Sequence, residues 1–127
     1  MSRSGLVRLL VLDSICDDYE NVDQVILRDV STQAAKLGLT IERSEIVDAL
    51  AGLIEDGLAK AYILSPTRPS VTELPGMPRL DAVEEDFKTY FYITEKGMDL
   101  QLSDDKGWPF DDQGQPLRDW RLDSPQS

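Results

Sequence analysis

Hydrophobic residues between positions 42 and 64 change from a helical to a strand spacing at one glycine. Ile46, Leu50 and Leu53 recur three and four residues apart, which is the spacing of one face of a helix. Gly57 follows, and glycine readily adopts the left-handed conformation that ends helices. The apolar residues after it favour a strand, and the alternation at residues 89–93 favours a second one. The pattern therefore predicts a helix that runs into a β-hairpin.

Two further helices are predicted before this one. Residues 6–16 are apolar nearly all round, which indicates either a central core helix or a helix whose second face forms a dimer interface. The next helix follows a helical period up to Gly38, a candidate left-handed cap. Thr40 is then a candidate N-cap for the third helix, with Glu42 as a favourable charge in its first turn. Two amphipathic helices joined by so short a linkage predict a helix-turn-helix.

The rest of the chain divides into a proline-bearing loop, a returning strand, a short helix and a polar tail. The prolines of residues 65–78 predict that this loop lacks regular structure. Thr94 is a candidate cap for a final helix that begins at Glu95. Residues 103–127 are polar, yet they hold Trp108, Phe110 and Trp120, and we expect at least one tryptophan to dock on the body or on a neighbouring copy. We therefore predict a domain at residues 1–102 and a tail at residues 103–127.

The order of these elements resembles a known superfamily. The segments LGLTIERSEIVDALAGLIEDGLAKAYI and YFYITEKG are similar to those of winged helix-turn-helix transcription regulators, most like the PadR-like and MarR-like branches. The resemblance implies an α+β fold that is mainly α, with three helices, a two-stranded wing and a C-terminal helix. The wing departs from the family, because its loop is acidic and roughly two dozen residues long where hairpins usually have a short turn.

The resemblance also implies a DNA-binding site. The recognition helix would span residues 42–56, and Arg43 and Ser44 would contact DNA together with Arg68 and Arg79 of the wing. The charge of this helix opposes that role, since one arginine stands against several carboxylates and the whole chain has a net charge of −11. These carboxylates belong to Glu42, Glu45, Asp48, Glu55 and Asp56.

The same helix carries a second apolar line, away from the predicted core face. Val47, Ala51 and Ile54 form this line, where a DNA-reading helix usually presents polar residues. Either the long wing loop or the tail covers the line within one chain, or a protein partner or a second copy covers it. The second alternative makes these three residues a candidate partner-binding site.

Composition argues against a serine or cysteine hydrolase of the usual kind and leaves only acid sites built from aspartate and glutamate. The chain has no histidine and one cysteine, Cys16, so the commonest general base is absent and no internal disulfide can form. We find no pairing of nucleophile and base and no metal-ligand spacing, and we predict a protein that is not an enzyme and uses no cofactor or metal. No apolar run approaches the roughly 20 residues of a membrane span. We expect a cytoplasmic protein that does not enter membranes.

Two functions follow as hypotheses. The first is a winged-helix transcription regulator that binds DNA weakly or atypically as a homodimer, and it rests on the resemblance of fold. The alternative is a winged-helix protein-interaction module that does not bind DNA, with an acidic surface turned toward a basic partner. The two hypotheses differ in whether DNA or a protein contacts the helix at residues 42–56.

Overall fold

The computed structural model describes residues 2–64, 71–80, 88–104 and 106–122, and their architecture is α+β and mainly helical. None of the helices in these ranges combines the length and the apolar composition of a membrane span. The predicted helices and the predicted hairpin are present. In chain order the elements are helix α1 (Arg3–Ser14), a π-helical turn (Val22–Ile26) that continues into helix α2 (Leu27–Lys36), helix α3 (Arg43–Glu55), strands β1 (Ala59–Leu64), β2 (Val71–Glu73) and β3 (Thr89–Ile93), and helix α4 (Glu95–Gln101).

Helix α1 lies in the centre of the hydrophobic core. The Ser2 hydroxyl begins the helix by accepting a hydrogen bond from the Gly5 amide at 3.0 Å. Its apolar residues are buried on several faces by the same chain, which confirms the core-helix interpretation. An uncovered apolar face, the reason for expecting a homodimer, is therefore not found on α1, and the homodimer itself stays a prediction. The buried residues of α1 are Leu6, Val7, Leu9, Leu10, Val11 and Leu12.

Helices α2 and α3 both end in a left-handed glycine, as the sequence predicts. Gly38 has a φ of 75° and Gly57 a φ of 77°. In each case the amide of the next residue bonds back to a carbonyl in the last helical turn, which satisfies a group that the helix leaves unpaired. These bonds run from Leu39 to Ala34 at 2.9 Å and from Leu58 to Leu53 at 2.8 Å.

The start of α3 differs from the prediction. The N-cap is Glu42, so the assignment of this role to Thr40 was wrong. The reason is tertiary: Ile41 is buried in the core, and the Thr40 carbonyl accepts a hydrogen bond from the guanidinium of Arg3 on α1. The Glu45 carboxylate closes the first turn by accepting from the Glu42 amide at 3.1 Å.

The predicted two-stranded wing is a three-stranded antiparallel sheet of order β2-β1-β3. The additional strand β2 pairs with β1 at Tyr62 opposite Glu73 and Leu64 opposite Val71. The prediction that the proline-bearing loop lacks regular structure was therefore wrong for residues 71–73. These three residues form a proline-free window that includes two β-branched side chains, and pairing with β1 outweighs the prolines on either side.

The two faces of the sheet differ as the alternation predicts. Phe91 and Ile93 of β3 are buried against the helices, whereas Tyr90 and Tyr92 are half-buried on the opposite face. Helix α4 begins directly after β3, with the Thr94 hydroxyl accepting from the Gly97 amide at 3.0 Å. This confirms the predicted cap.

The segment after α4 is docked on the body through its aromatic side chains. Phe110 is buried, and Trp108 and Trp120 are partly buried against the core. The rings of Trp108 and Phe110 meet edge to face at 5.6 Å, and the Lys36 ammonium of α2 lies 5.7 Å from the Phe110 ring centre. The indole of Trp120 donates to the Gly107 carbonyl at 3.2 Å. The expectation that at least one tryptophan docks is confirmed.

Candidate functional site

Arg43, the cation predicted to face DNA, is held by its own protein at the start of α3. Its Nε and Nη2 atoms donate to the two carboxylate oxygens of Asp23 at 2.7 and 3.0 Å. Its Nη1 atom donates to the carbonyl of Leu80 at 2.9 Å. The side chain of Arg43 is 22% exposed and that of Asp23 only 8%. A phosphate that used the same two N–H groups would have to displace a two-point carboxylate contact.

The Arg43 contact joins three parts of the chain that are distant in sequence. Asp23 lies in the π-helical turn before α2, Arg43 is the first residue of α3, and Leu80 is a buried residue after the proline-bearing segment. Because one guanidinium bonds to both other parts, it fixes the entry to α3 relative to each of them. The structure therefore gives Arg43 a role in holding the fold.

Of the other predicted DNA-binding residues, two are described by the structure and one is not. Ser44 is exposed beside Arg43 on the first turn of α3. Arg79 is exposed and immediately precedes Leu80, so it lies next in sequence to the carbonyl that Arg43 contacts. Arg68 and the acidic cluster of residues 81–86 lie outside the described residues. The structure thus brings Ser44 and Arg79 toward the same end of α3.

Two arginines of α1, which the sequence analysis did not connect to α3, pair with its carboxylates. Arg3 Nε lies 2.9 Å from Glu45 Oε1, and Arg8 Nη1 lies 3.2 Å from Asp56 Oδ2. The hydrogen bond from Arg3 lowers the pKa of the Glu45 carboxyl below its usual value. The guanidinium of Arg8 lies across Gly52, where any Cβ would collide with it.

After these pairings the surface of α3 remains acidic. Glu42, Asp48 and Glu55 are exposed, while its one arginine is bound to Asp23. Cations from α1 neutralise carboxylates of α3 but are themselves engaged by that contact. The predicted recognition helix therefore presents carboxylates and the Ser44 hydroxyl to solvent, and phosphate groups would be repelled from it.

The second apolar line of α3 is covered to different degrees. Val47 is only 7% exposed and belongs to the core, whereas Ala51 and Ile54 are half-buried. Val47, one of the three residues of the line, is therefore buried by its own chain and needs no partner to cover it. Ala51 and Ile54 keep accessible surface, and partner binding at this line stays a prediction.

Substituting Val47 by aspartate is expected to lower stability by about 2 kcal/mol or more, because a carboxylate would replace a buried methyl pair. The thermal unfolding midpoint measures the effect. Ser44→Asp is the matched control, since it adds the same carboxylate at a neighbouring exposed site where a helix N-terminus favours negative charge. An unchanged midpoint for Val47→Asp would mean that Val47 is free to meet a partner.

Two observations on the described residues concern metal binding and the reactivity of the one cysteine. They contain no group of three or more histidine, cysteine, aspartate or glutamate side chains placed to hold a metal ion. Burial raises the pKa of the Cys16 thiol to about 11, with a further contribution from the charges of Asp17 and Asp13. The thiol is therefore protonated at neutral pH and supplies no thiolate nucleophile.

Sequence reasoning missed a group of tyrosines on the sheet. Tyr62 of β1 pairs in register with Tyr90 of β3, and Tyr19 of the connector between α1 and α2 lies against both Tyr62 and Tyr92. The alternation of residues 89–93 was a usable signal for Tyr90 and Tyr92. No local signal places Tyr19 beside them, since its position depends on contacts with a strand about 70 residues later.

Comparison of the chain with protein-family models, with curated proteins and with solved structures gave no match.

Proposed function

We propose that this chain is a winged helix-turn-helix domain that acts as a protein-interaction module and does not read duplex DNA. The order of α2, a short turn, α3 and an antiparallel sheet supports the fold assignment. The observation that carries the functional assignment is the engagement of Arg43 by Asp23 and by the Leu80 carbonyl.

Electrostatics supports the same assignment. Affinity for duplex DNA depends on lysine and arginine side chains that neutralise phosphates. Here the predicted recognition helix has one arginine, which is engaged, and exposed carboxylates at Glu42, Asp48 and Glu55. The net charge of the chain is −11, so the long-range field also opposes approach to a polyanion. The same field attracts basic proteins.

A DNA-binding assay tests the negative half of the proposal. We expect no measurable binding of a labelled random-sequence duplex at micromolar protein, whether at about 0.05 M or about 0.15 M salt. Fluorescence anisotropy is the measurement. Ser44→Asp is the informative variant, because it adds a negative charge on the predicted groove-facing side at an exposed position. Steeply salt-dependent binding that Ser44→Asp abolishes would establish the alternative, a DNA-binding regulator.

Affinity purification tests the positive half. A tagged form of the full chain, purified from cells of its natural source, should retain a specific protein after nuclease treatment. Retention through the nuclease step separates direct protein contact from co-purification on nucleic acid. If every co-purifying protein is lost with the nucleic acid, the module does not act through protein contacts and the proposal is wrong.

A further inference from the structure

All four tyrosines of the chain gather on one side of the molecule. Tyr62, Tyr90 and Tyr92 project from the sheet face opposite to the core, and each is half-buried. The ring of Tyr19 meets that of Tyr62 at a centroid distance of 5.0 Å and an angle of 90°, and that of Tyr92 at 4.9 Å and 32°. We call this set, Tyr19, Tyr62, Tyr90 and Tyr92, the tyrosine face.

The position of Tyr19 is built into the fold. Its neighbour Glu20 exchanges two backbone hydrogen bonds with Phe91 of β3, at 3.0 and 2.9 Å. The side chain of the buried Asn21 donates to the Thr89 carbonyl at 2.9 Å. The connector therefore lies along the free edge of β3 as a short additional strand. This pairing turns Tyr19 to the outer face and fixes it opposite Tyr92.

The tyrosine face has an acidic border. Asp17 and Asp18 are exposed beside Tyr19, and Glu73 of β2 lies opposite Tyr62 in the register. Asp17 and Asp18 thus place negative charge on the Tyr19 side of the tyrosine face. Lys60, on the same sheet face, is neutralised by Glu73 at 3.0 Å.

A tyrosine cluster next to carboxylates has the chemistry to bind a cationic protein segment. Tyrosine is enriched at protein interfaces, where its ring supplies apolar area and its hydroxyl forms hydrogen bonds. Ring faces also attract lysine and arginine cations, and a bordering carboxylate strengthens that attraction. Single-stranded nucleic acid also stacks on aromatic rings, but it requires a positively charged groove. The acidic border favours a cationic protein segment.

We propose that the tyrosine face and its acidic border at Asp17 and Asp18 form the docking surface for an arginine- and lysine-rich segment of a partner protein. This inference rests on the proposed function as a protein-interaction module and names the chemistry of its partner. The segment would place cationic side chains over the rings and their charges beside the carboxylates.

The test uses a labelled peptide of about 12 residues that alternates arginine with serine, measured by anisotropy at about 0.15 M salt so that long-range attraction is screened. The variant Tyr62→Leu/Tyr92→Leu removes two rings without changing charge, and we expect it to bind about tenfold more weakly. The variant Tyr62→Phe/Tyr92→Phe keeps the rings and should stay within about threefold of the natural protein. Equal affinity for all three proteins would show that only the general acidic field attracts the peptide, and would overturn the inference.

A second pair of variants tests the acidic border. Asp17→Asn/Asp18→Asn should weaken peptide binding about fivefold, because it removes two charges beside the rings. Glu55→Gln/Asp99→Asn is the matched control, since it removes the same total charge at exposed positions outside the tyrosine face and should change affinity less than about twofold. Equal weakening by both pairs would contradict a local site.

Amide chemical-shift mapping on the natural protein keeps the inference testable if a tyrosine variant does not fold. Titration with the peptide should shift the amides of Tyr19, Tyr62, Tyr90 and Tyr92 and their neighbours. Shifts centred on α3 instead would reject the tyrosine face while leaving the interaction module in place. Tight binding of random duplex by the natural protein would reject the proposed function itself, so the two failures are distinguishable.

Discussion

Replacing Leu50 with alanine is expected to lower the free energy of unfolding by about 2–5 kcal/mol. Leu50 lies in the middle of α3 with no exposed surface, inside the core cluster that joins α3 to α1 and the sheet. Truncation would remove its buried methyl groups and leave a cavity that the close-packed helices can fill only in part. For a domain of this size the thermal midpoint should fall by about 3 °C or more per kcal/mol.

Leu102→Ala is the matched control for this substitution. It deletes the same atoms from a leucine that is 74% exposed just after α4, so its midpoint should change little. Thermal or urea unfolding followed by circular dichroism compares the two. A Leu50→Ala midpoint as high as that of Leu102→Ala would contradict the core position of α3, on which the site geometry depends.

Replacing Asp23 with alanine is expected to have an effect of comparable size, about 3–5 kcal/mol. The substitution removes the carboxylate that accepts two hydrogen bonds from the Arg43 guanidinium, whose side chain is only 22% exposed. Loss of the carboxylate partner is costly for a cation that is largely held out of water. The urea midpoint measures the loss.

A double-mutant cycle separates this pair from simple loss of packing. Asp23→Ala/Arg43→Ala should be less destabilising than the sum of the two single variants, because each single substitution already breaks the contact that the two residues share. Asp56→Ala is the surface comparison, since it breaks the exposed pair with Arg8 and should change stability by no more than about 1 kcal/mol. Additive effects of Asp23 and Arg43 would mean that the contact is not formed in solution.

The Asp23 result also bears on function. If Arg43 contacted DNA, its substitution would reduce binding and leave the fold intact. The geometry predicts instead that the Arg43 substitution lowers the stability of the fold. The reason is that the guanidinium bonds to groups from two distant parts of the chain. Arg43→Ala therefore needs an unfolding measurement beside any binding assay.

Much of the fold could be predicted because it depends on local signals. Gly38 and Gly57 end their helices through a backbone conformation that other residues seldom adopt, and Thr94 caps the next helix through a bond to a residue three positions later. Such features involve neighbours in sequence. The strand β2 was missed because its stability comes from pairing with β1 and outweighs the prolines around it.

The candidate site was less predictable, because the sequence does not show which charged side chains are paired with a distant residue. Arg43 looked available for DNA in the sequence, yet its partner Asp23 lies 20 residues earlier and reaches it only when the π-helical turn packs beside α3. Val47 looked like a partner contact and is largely covered by its own chain. In both cases the sequence does not reveal which distant part of the chain contacts the residue.

The sequence by itself determined the order of the helices and the two paired strands β1 and β3, the two glycine helix ends, the alternating face of β3 and the absence of histidine chemistry, since each follows from residue types and their spacing. Only the tertiary structure decided that Arg43 is engaged and that four tyrosines share one face. Those two facts depend on long-range pairing, of Asp23 with Arg43 and of Glu20 with Phe91. Local propensities do not predict such contacts, because the contacts form only when the chain packs around α1.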